Sequence, residues 1–153
     1  MPLHRHDGFT LIEVLAVLAI MAIAAAITIP VLDRPLADAR LYTDARQMTQ
    51  VLRSARQQAI TSGKAVTVIF YPTSARYRVL GETPTNLQKD IRFVGSTTFT
   101  TKYGSLPTCA FDPSGTPGSG GTVTLSNGQR LLYVIVNPVA GRVRLSETPP
   151  DGW

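Results

Sequence analysis

An apolar run near the N-terminus limits the fold of this chain more than any other feature. Residues 9–32 hold a single charge, Glu13, in a run made mostly of Leu, Ile, Val and Ala. A helix of about 20 apolar residues is long enough to cross the hydrocarbon core of a membrane. The run therefore predicts a membrane-spanning helix, preceded by a short polar leader of residues 1–8.

The leader does not have the pattern of a secretory signal peptide. Such a peptide ends in a small-residue cleavage site after its apolar region, whereas the plausible cut here, after Gly8, lies before it. Cleavage at that point would remove the leader and keep the hydrophobic helix.

The string Gly8-Phe9-Thr10-Leu11-Ile12-Glu13 resembles the processing site of type IV pilins and of the pseudopilins of type II secretion. The resemblance implies that a prepilin peptidase cuts after Gly8 and that the new N-terminal residue, Phe9, is methylated. Pro30 matches a proline that these proteins often carry, which implies a helix kink there. The alternative is an ordinary single-pass anchor that begins with this string by chance.

Glu13 is costly in hydrocarbon, so it indicates a function and a partner. Cleavage after Gly8 would create an amine on Phe9, one helical turn away, in the same subunit or in the next one of a filament. The resemblance favours the next subunit, where the pair sets the register of filament assembly. The alternative is that Glu13 merely reaches the cytoplasmic headgroups.

The composition argues against an enzyme. The 153 residues allow one compact domain beyond the helix, and the net charge is +5 with or without the leader. Both histidines, His4 and His6, lie in the leader, which excludes histidine-based nucleophiles and histidine-ligated metal sites from the processed chain. Cys109 is alone, so we expect a buried small residue and no internal disulfide. We expect no cofactor, and a membrane-anchored enzyme built on other residues is a third, weaker reading.

Residues 33–63 continue the helix with an amphipathic pattern. Pro30 and Pro35 should bend or loosen the helix, which then resumes near Leu36. One apolar stripe follows at alternating spacings of four and three: Leu41, Ala45, Met48, Leu52, Ala55 and Ala59. Gly63 is a suitable C-terminal stop. The short, alanine-containing stripe favours packing on a sheet over a coiled coil.

The rest of the chain reads as short strands and loops. Predicted strands cover residues 65–71, 76–80, 91–94, 97–101, 109–111, 122–126, 129–136 and 141–145. Hairpins are predicted at residues 72–74 and at Asn127-Gly128. Residues 81–90 and 112–121 are predicted loops, and the glycines of the second read as flexibility, not as a phosphate-binding turn.

The predicted class is α+β, a long N-terminal hydrophobic helix with an antiparallel β-sheet domain on its C-terminal half. The expected parts are the leader (1–8), the membrane or filament-core helix (9–32), its amphipathic continuation (33–63) and a periplasmic β-rich domain (64–153). Segments 52–63, 111–115 and 141–144 resemble the minor pseudopilin family GspH/FimT, the protein H family of type II secretion.

This resemblance implies a structural subunit near the tip of a periplasmic pseudopilus. The implied partners are the prepilin peptidase, other major and minor pseudopilins, the inner-membrane assembly platform and secreted cargo. The implied location is the inner membrane, with the leader in the cytoplasm and the C-terminal domain in the periplasm.

A second hypothesis is a minor pilin of a type IV pilus that binds DNA for uptake through Arg142 and Arg144. Some members of the family bind DNA through a Gly-Arg-x-Arg segment of this kind, and arginine contacts to phosphates would be independent of base sequence. The alternative is that both arginines form the solvated side of an edge strand, as Arg76 and Arg78 would in their hairpin. The sequence favours this simpler reading and does not distinguish the two machines.

Overall fold

The computed structural model describes residues 9–95 and 97–150, and it describes no side chain from residue 26 to residue 33. The chain divides into two compact units, Met1–Leu36 and Ala37–Trp153. Within the described residues, no helical stretch has both the length and the apolar character of a membrane span. Much of the second half of the predicted span, residues 26–32, falls where no side chain is described.

Helix α1 (Leu11–Ser62) confirms the predicted stripe, because all six of its apolar side chains are buried. The helix ends as expected at Gly63, whose amide donates to the Ala59 carbonyl at 3.1 Å. The predicted resumption near Leu36 is wrong, since the helix has no gap there. A proline removes only one hydrogen bond of the helix, and the turns on either side keep theirs. The kink at Pro30 stays a prediction.

Nine strands follow the helix in the described residues. They are β1 (Val66–Tyr71), β2 (Arg76–Val79), β3 (Thr85–Asn86), β4 (Arg92–Phe93), β5 (Lys102–Tyr103), β6 (Leu106–Phe111), β7 (Gly121–Ser126), β8 (Leu131–Val136) and β9 (Val143–Ser146). All of the pairings are antiparallel. They form a five-stranded sheet of order β3-β2-β1-β6-β5 and a four-stranded sheet of order β4-β7-β8-β9. The α+β class is therefore confirmed.

The core of the second unit joins the helix stripe to the inner faces of both sheets. The sheets contribute Val68, Phe70, Tyr77, Cys109 and Phe111 from the first and Val123, Leu125, Leu132, Val134 and Val136 from the second. These residues recur at every second position of their strands, as a half-buried sheet requires. The side chains between them face away from the core.

Some strand predictions fail where side chains replace backbone pairing. Residues 97–101 form no strand, because the hydroxyl of Thr98 accepts the Thr122 amide at 2.7 Å in place of a backbone carbonyl. Phe99 of this segment stacks on Phe70 at a centroid distance of 5.4 Å. The predicted loop 81–90 contains β3, a two-residue strand that pairs with β2 at the edge of the first sheet.

The Asn127-Gly128 hairpin is confirmed, with a longer turn than a two-residue loop. Ser126 pairs with Leu131, so four residues connect β7 and β8. The Asn127 side-chain oxygen accepts the amides of Gln129 and Arg130 at 3.0 and 2.8 Å. An Asx turn of this kind closes the loop locally.

Close packing, not flexibility, explains most of the glycines in the predicted loop 112–121. A Cβ at Gly121 would lie 2.7 Å from the Phe99 ring, and one at Gly120 would lie 2.7 Å from Pro138. Gly141 is placed more tightly still, since its Cβ would lie 2.2 Å from the Gly115 carbonyl oxygen. The two loops that carry Gly115 and Gly141 therefore meet backbone to backbone.

Candidate functional site

The start of α1 brings together two of the residues predicted from the processing motif. Phe9 and Glu13 line one shallow depression with Val14, Val17 and Leu18. Phe9 is 84% exposed, and Glu13 is exposed as well. The predicted cleavage residue, Gly8, lies outside the described residues.

The same residues also begin the helix, a role that the sequence reasoning missed. The Thr10 hydroxyl accepts the Glu13 amide at 3.3 Å, which makes Thr10 the N-cap and Glu13 the third helical residue. A carboxylate at that position is favourable next to the positive end of the helix dipole. The signal was present in the sequence, because Thr-x-x-Glu before an apolar run is a capping box.

The first part of α1 is apolar on all sides and exposed throughout. Every described side chain from residue 9 to residue 25 is exposed, including large ones such as Ile12, Ile20 and Ile23. Helices that are apolar all round are normally buried in a membrane or among other helices. This stretch therefore presents a large apolar surface whose exposure to water is unfavourable, which is typical of a membrane or protein contact surface.

Arg142 and Arg144 are brought together as the alternation predicted. Both are exposed, and both line a depression of about 360 Å³ with Ile135 and Asn137. Arg144 lies opposite Ile135 in the β8–β9 register, on the outer face of the four-stranded sheet. Ile135 is 1% exposed although it lies outside the central core, so the arginine pair is well placed to cover it.

Two arginines of helix α1, Arg53 and Arg56, lie close to Arg142. Arg53 donates to the Val143 carbonyl at 3.0 and 3.2 Å, and Arg56 donates to the Gly115 carbonyl at 3.0 Å. Both line one depression with Arg142. In the described part of the chain, the salt bridges involve only Arg40 and Arg130, so no carboxylate neutralises this group.

One buried carboxylate, Asp44, fastens the helix to the segment before β4. It accepts the backbone amide of Gln88 at 2.7 Å and the Gln88 side-chain amide at 3.2 Å. Burial, together with the charge of Asp44, raises the pKa of Tyr77 to about 12. Asp44 lies three residues after Leu41, on the face of the stripe, and that position was the available signal. Its role is structural.

The remaining reactive group is shielded. Cys109 is buried, and its burial raises the thiol pKa to about 12, so it is unreactive near neutral pH. Among the residues that the structure describes, no group of three or more His, Cys, Asp or Glu side chains is placed to hold a metal ion.

Comparison with known families agrees with this geometry. Residues 44–141 match the family described as type II transport protein GspH, and residues 3–29 match the prokaryotic N-terminal methylation motif. The second match spans Gly8, Phe9 and Glu13. No curated protein matches the chain significantly.

Comparison with solved structures finds the same fold. The minor pseudopilin EpsH from the type 2 secretion system of Vibrio cholerae superimposes with a TM-score of 0.58 at 15% identity, covering 70% of this chain and 96% of its own. The type IV minor pilin FimU of Pseudomonas aeruginosa gives 0.55 at 14% identity, covering 71% and 90%. The family match covers more than half of the sequence, and the chain therefore belongs to the GspH family, with the pilin-like α+β fold of minor pseudopilins and minor pilins.

Proposed function

We propose that this protein is a structural minor pseudopilin of a type II secretion pseudopilus, without enzymatic activity. The prepilin peptidase cuts it after Gly8, and Phe9 is methylated. The processed chain is held in the inner membrane by residues 9–32, with the leader in the cytoplasm and the β-rich domain in the periplasm. It then assembles near the filament tip.

The observation that carries the proposal is the exposed apolar surface of residues 9–25. At about 25 cal/mol per Å², covering such a surface is strongly favourable, and lipid or the helices of other subunits supply the cover. Lipid is as apolar as the side chains, so transfer from membrane to filament depends on packing and on polar pairs. Glu13 provides such a pair with the Phe9 amine of the next subunit. The partners are the peptidase, other pseudopilins, the assembly platform and secreted cargo.

Mass spectrometry of the protein from inner membranes tests the processing step. We expect an N-terminal peptide that begins at Phe9 and carries one extra methyl group. A chain that begins at Met1, or that was cut after residue 32, contradicts the proposal.

Disulfide cross-linking between subunits tests the assembly step. A single cysteine introduced by Val17→Cys reports neighbouring helices, and buried Cys109 adds no background because its thiol is unreactive. We expect Glu13→Gln to reduce the cross-linked dimer by about tenfold or more, since the pair in hydrocarbon is lost. Thr10→Val is the matched control, because it removes the helix cap and keeps the carboxylate. Equal losses in both variants would mean that Glu13 acts only through the cap.

A type IV minor pilin that binds DNA is the second candidate. It is favoured by one observation, that Arg142 and Arg144 share a depression and have no carboxylate partner in the described residues. Phosphate contacts from both would give salt-sensitive binding of duplex DNA.

An electrophoretic shift of duplex DNA by the full chain in non-ionic detergent tests this candidate. We expect retardation that fades as salt is raised and that Arg142→Ala/Arg144→Ala abolishes. No retardation at low salt would remove the candidate.

A further inference from the structure

A row of side chains crosses the outer face of the five-stranded sheet. The registers place Asn86 opposite Arg76, Arg76 opposite Tyr71, and Leu106 opposite Tyr103. Ile69 pairs with Thr108, so the next outward position of β1, Tyr71, falls beside Leu106. The row therefore runs Asn86, Arg76, Tyr71, Leu106, Tyr103 across all five strands.

Arg78 lies in the neighbouring row, opposite Ile69. Ile69 is fully buried although it lies outside the central core, so neighbours on its own face cover it. Arg78 and Tyr71 are its largest neighbours on that face, and the stems of long basic side chains often cover apolar surface in this way. The arginines of this face are therefore held against the sheet.

Both guanidinium groups lie against one aromatic ring. Their central carbons are 5.0 Å (Arg76) and 5.7 Å (Arg78) from the centroid of the Tyr71 ring, within cation–π range. Two positive charges are thus kept close together, although like charges repel.

No acidic group compensates these charges within the described structure. The five strands of the sheet contain no Asp or Glu, and neither arginine forms a salt bridge. The Nε atoms of Arg76 and Arg78 are buried and have no hydrogen-bond acceptor. Unpaired buried donors are uncommon in native proteins and require an explanation. An anion bound at these two arginines would supply the missing negative charge.

The tyrosines indicate which anion. Tyr103 is 53% exposed and stands two strands from Tyr71, about 10 Å away at the usual strand spacing. Aromatic rings and guanidinium planes on a sheet surface stack with unpaired bases, and arginines pair with the phosphates between them. An acidic peptide would pair with the arginines but would not stack on the tyrosine rings. In duplex DNA the bases are stacked on one another, so their faces are not available to a tyrosine.

We propose that this tyrosine–arginine face (Tyr71, Arg76, Arg78 and Tyr103) binds single-stranded nucleic acid, with phosphates on the two arginines and a base on Tyr103. The proposal goes beyond the pseudopilin function and is separate from the Arg142 and Arg144 hypothesis, which concerns the other sheet and duplex DNA.

Fluorescence anisotropy with a labelled oligothymidine and the full chain in non-ionic detergent tests the proposal. Arg76→Met/Arg78→Met removes both charges and keeps aliphatic cover over Ile69. We expect it to weaken binding by about tenfold or more and to lower the slope of log affinity against log salt by about 1.4, at roughly 0.7 per phosphate contact. A purely structural role would leave that slope unchanged.

The matched control is Lys89→Met/Arg92→Met, which removes two exposed positive charges that neither proposed nucleic-acid site contains. We expect it to keep the affinity for oligothymidine. If it weakens binding as much as the first pair does, the site lies elsewhere and the proposal is overturned.

Stacking is tested separately on the exposed ring. Tyr103→Ala should weaken binding by about five- to a hundredfold, whereas Tyr103→Phe should keep it, because the ring is retained. An abasic oligomer that binds as tightly as oligothymidine would overturn base stacking. Polyglutamate that competes at equal charge would overturn the choice of nucleic acid in favour of an acidic protein.

Discussion

Two stretches of helix α1 meet their surroundings in different ways. In the N-terminal stretch (residues 9–25) nearly every side chain is apolar and all are exposed, whereas the C-terminal stretch (residues 37–62) is mixed and buries its apolar stripe. The distribution of apolar residues around the helix explains the difference. The C-terminal stretch is apolar on one face, which packs on the sheets of the same chain. The N-terminal stretch is apolar all round, and such a surface can be buried only by lipid or by other subunits. Stability should therefore depend on the second stretch, and assembly on the first.

The largest expected effect is a cavity in the C-terminal stretch. Leu52→Ala should lower the free energy of unfolding by about 2–5 kcal/mol, since Leu52 is fully buried among both sheets. Urea unfolding of the full chain in non-ionic detergent, followed by circular dichroism, measures it. Leu15→Ala is the matched control in the N-terminal stretch and should stay within about 0.5 kcal/mol. Equal losses at the two positions would break the comparison.

A smaller effect is expected at the polar contact of the C-terminal stretch. Asp44→Ala should destabilise the protein by about 1–3 kcal/mol, because it removes the buried, charged acceptor of the Gln88 backbone amide. Asp90→Asn is the control, since the ion pair of Asp90 with Arg40 is long, at 3.8 Å, and asparagine tolerates the left-handed backbone at this exposed position, where φ is +70°. The same unfolding experiment compares them, and a control loss as large as that of Asp44 would refute the assignment.

A fall in pH should destabilise the second unit in part by protonating Asp112. A hydrogen bond from Ser114 holds the pKa of this carboxyl below its ordinary value, as do amides of the same loop. A depressed folded pKa means that the stabilisation is present above the unfolded pKa and is lost as the pH falls through the folded pKa. Asp112→Asn should therefore flatten the decline of the melting temperature between neutral pH and about pH 3. An unchanged decline would show that other carboxylates cause it.

The smallest effect on global stability is expected from the helix cap. Thr10→Val removes the acceptor of the Glu13 amide, and the loss, about 0.5–2 kcal/mol of helix stability, stays local. Hydrogen exchange of the Glu13 amide should become faster while the melting temperature of the second unit stays constant. A lower melting temperature would mean that the two stretches are coupled.

Local patterns predicted much of this fold. The stripe from Leu41 to Ala59, the stop at Gly63 and the Asn127-Gly128 hairpin each follow from a few neighbouring residues, and the structure confirms all three. Residues 97–101 alternate like a strand, yet a side-chain hydroxyl takes the place of a ladder carbonyl. The contact between Asp44 and Gln88 spans 44 residues, and no local pattern contains it.

The candidate sites divide in the same way. Glu13 and its neighbours could be proposed from the sequence, because all of them belong to one short motif. Arg142 and Arg144 were predicted on one face, since strand alternation is regular. The row from Asn86 to Tyr103 could not be predicted from the sequence, because its residues come together only through the order of the five strands in the sheet. That order differs from the order of the strands along the chain.

The contact between Gly115 and Gly141 has a practical consequence for work on this protein. No side chain fits where these two loops touch, and Arg56 closes the space beside them. Epitope tags or fluorophores placed in either loop would push both apart, so a functional fusion should be built elsewhere. The segment around Gly81 is the better point of insertion, because nothing crowds that glycine within 4 Å.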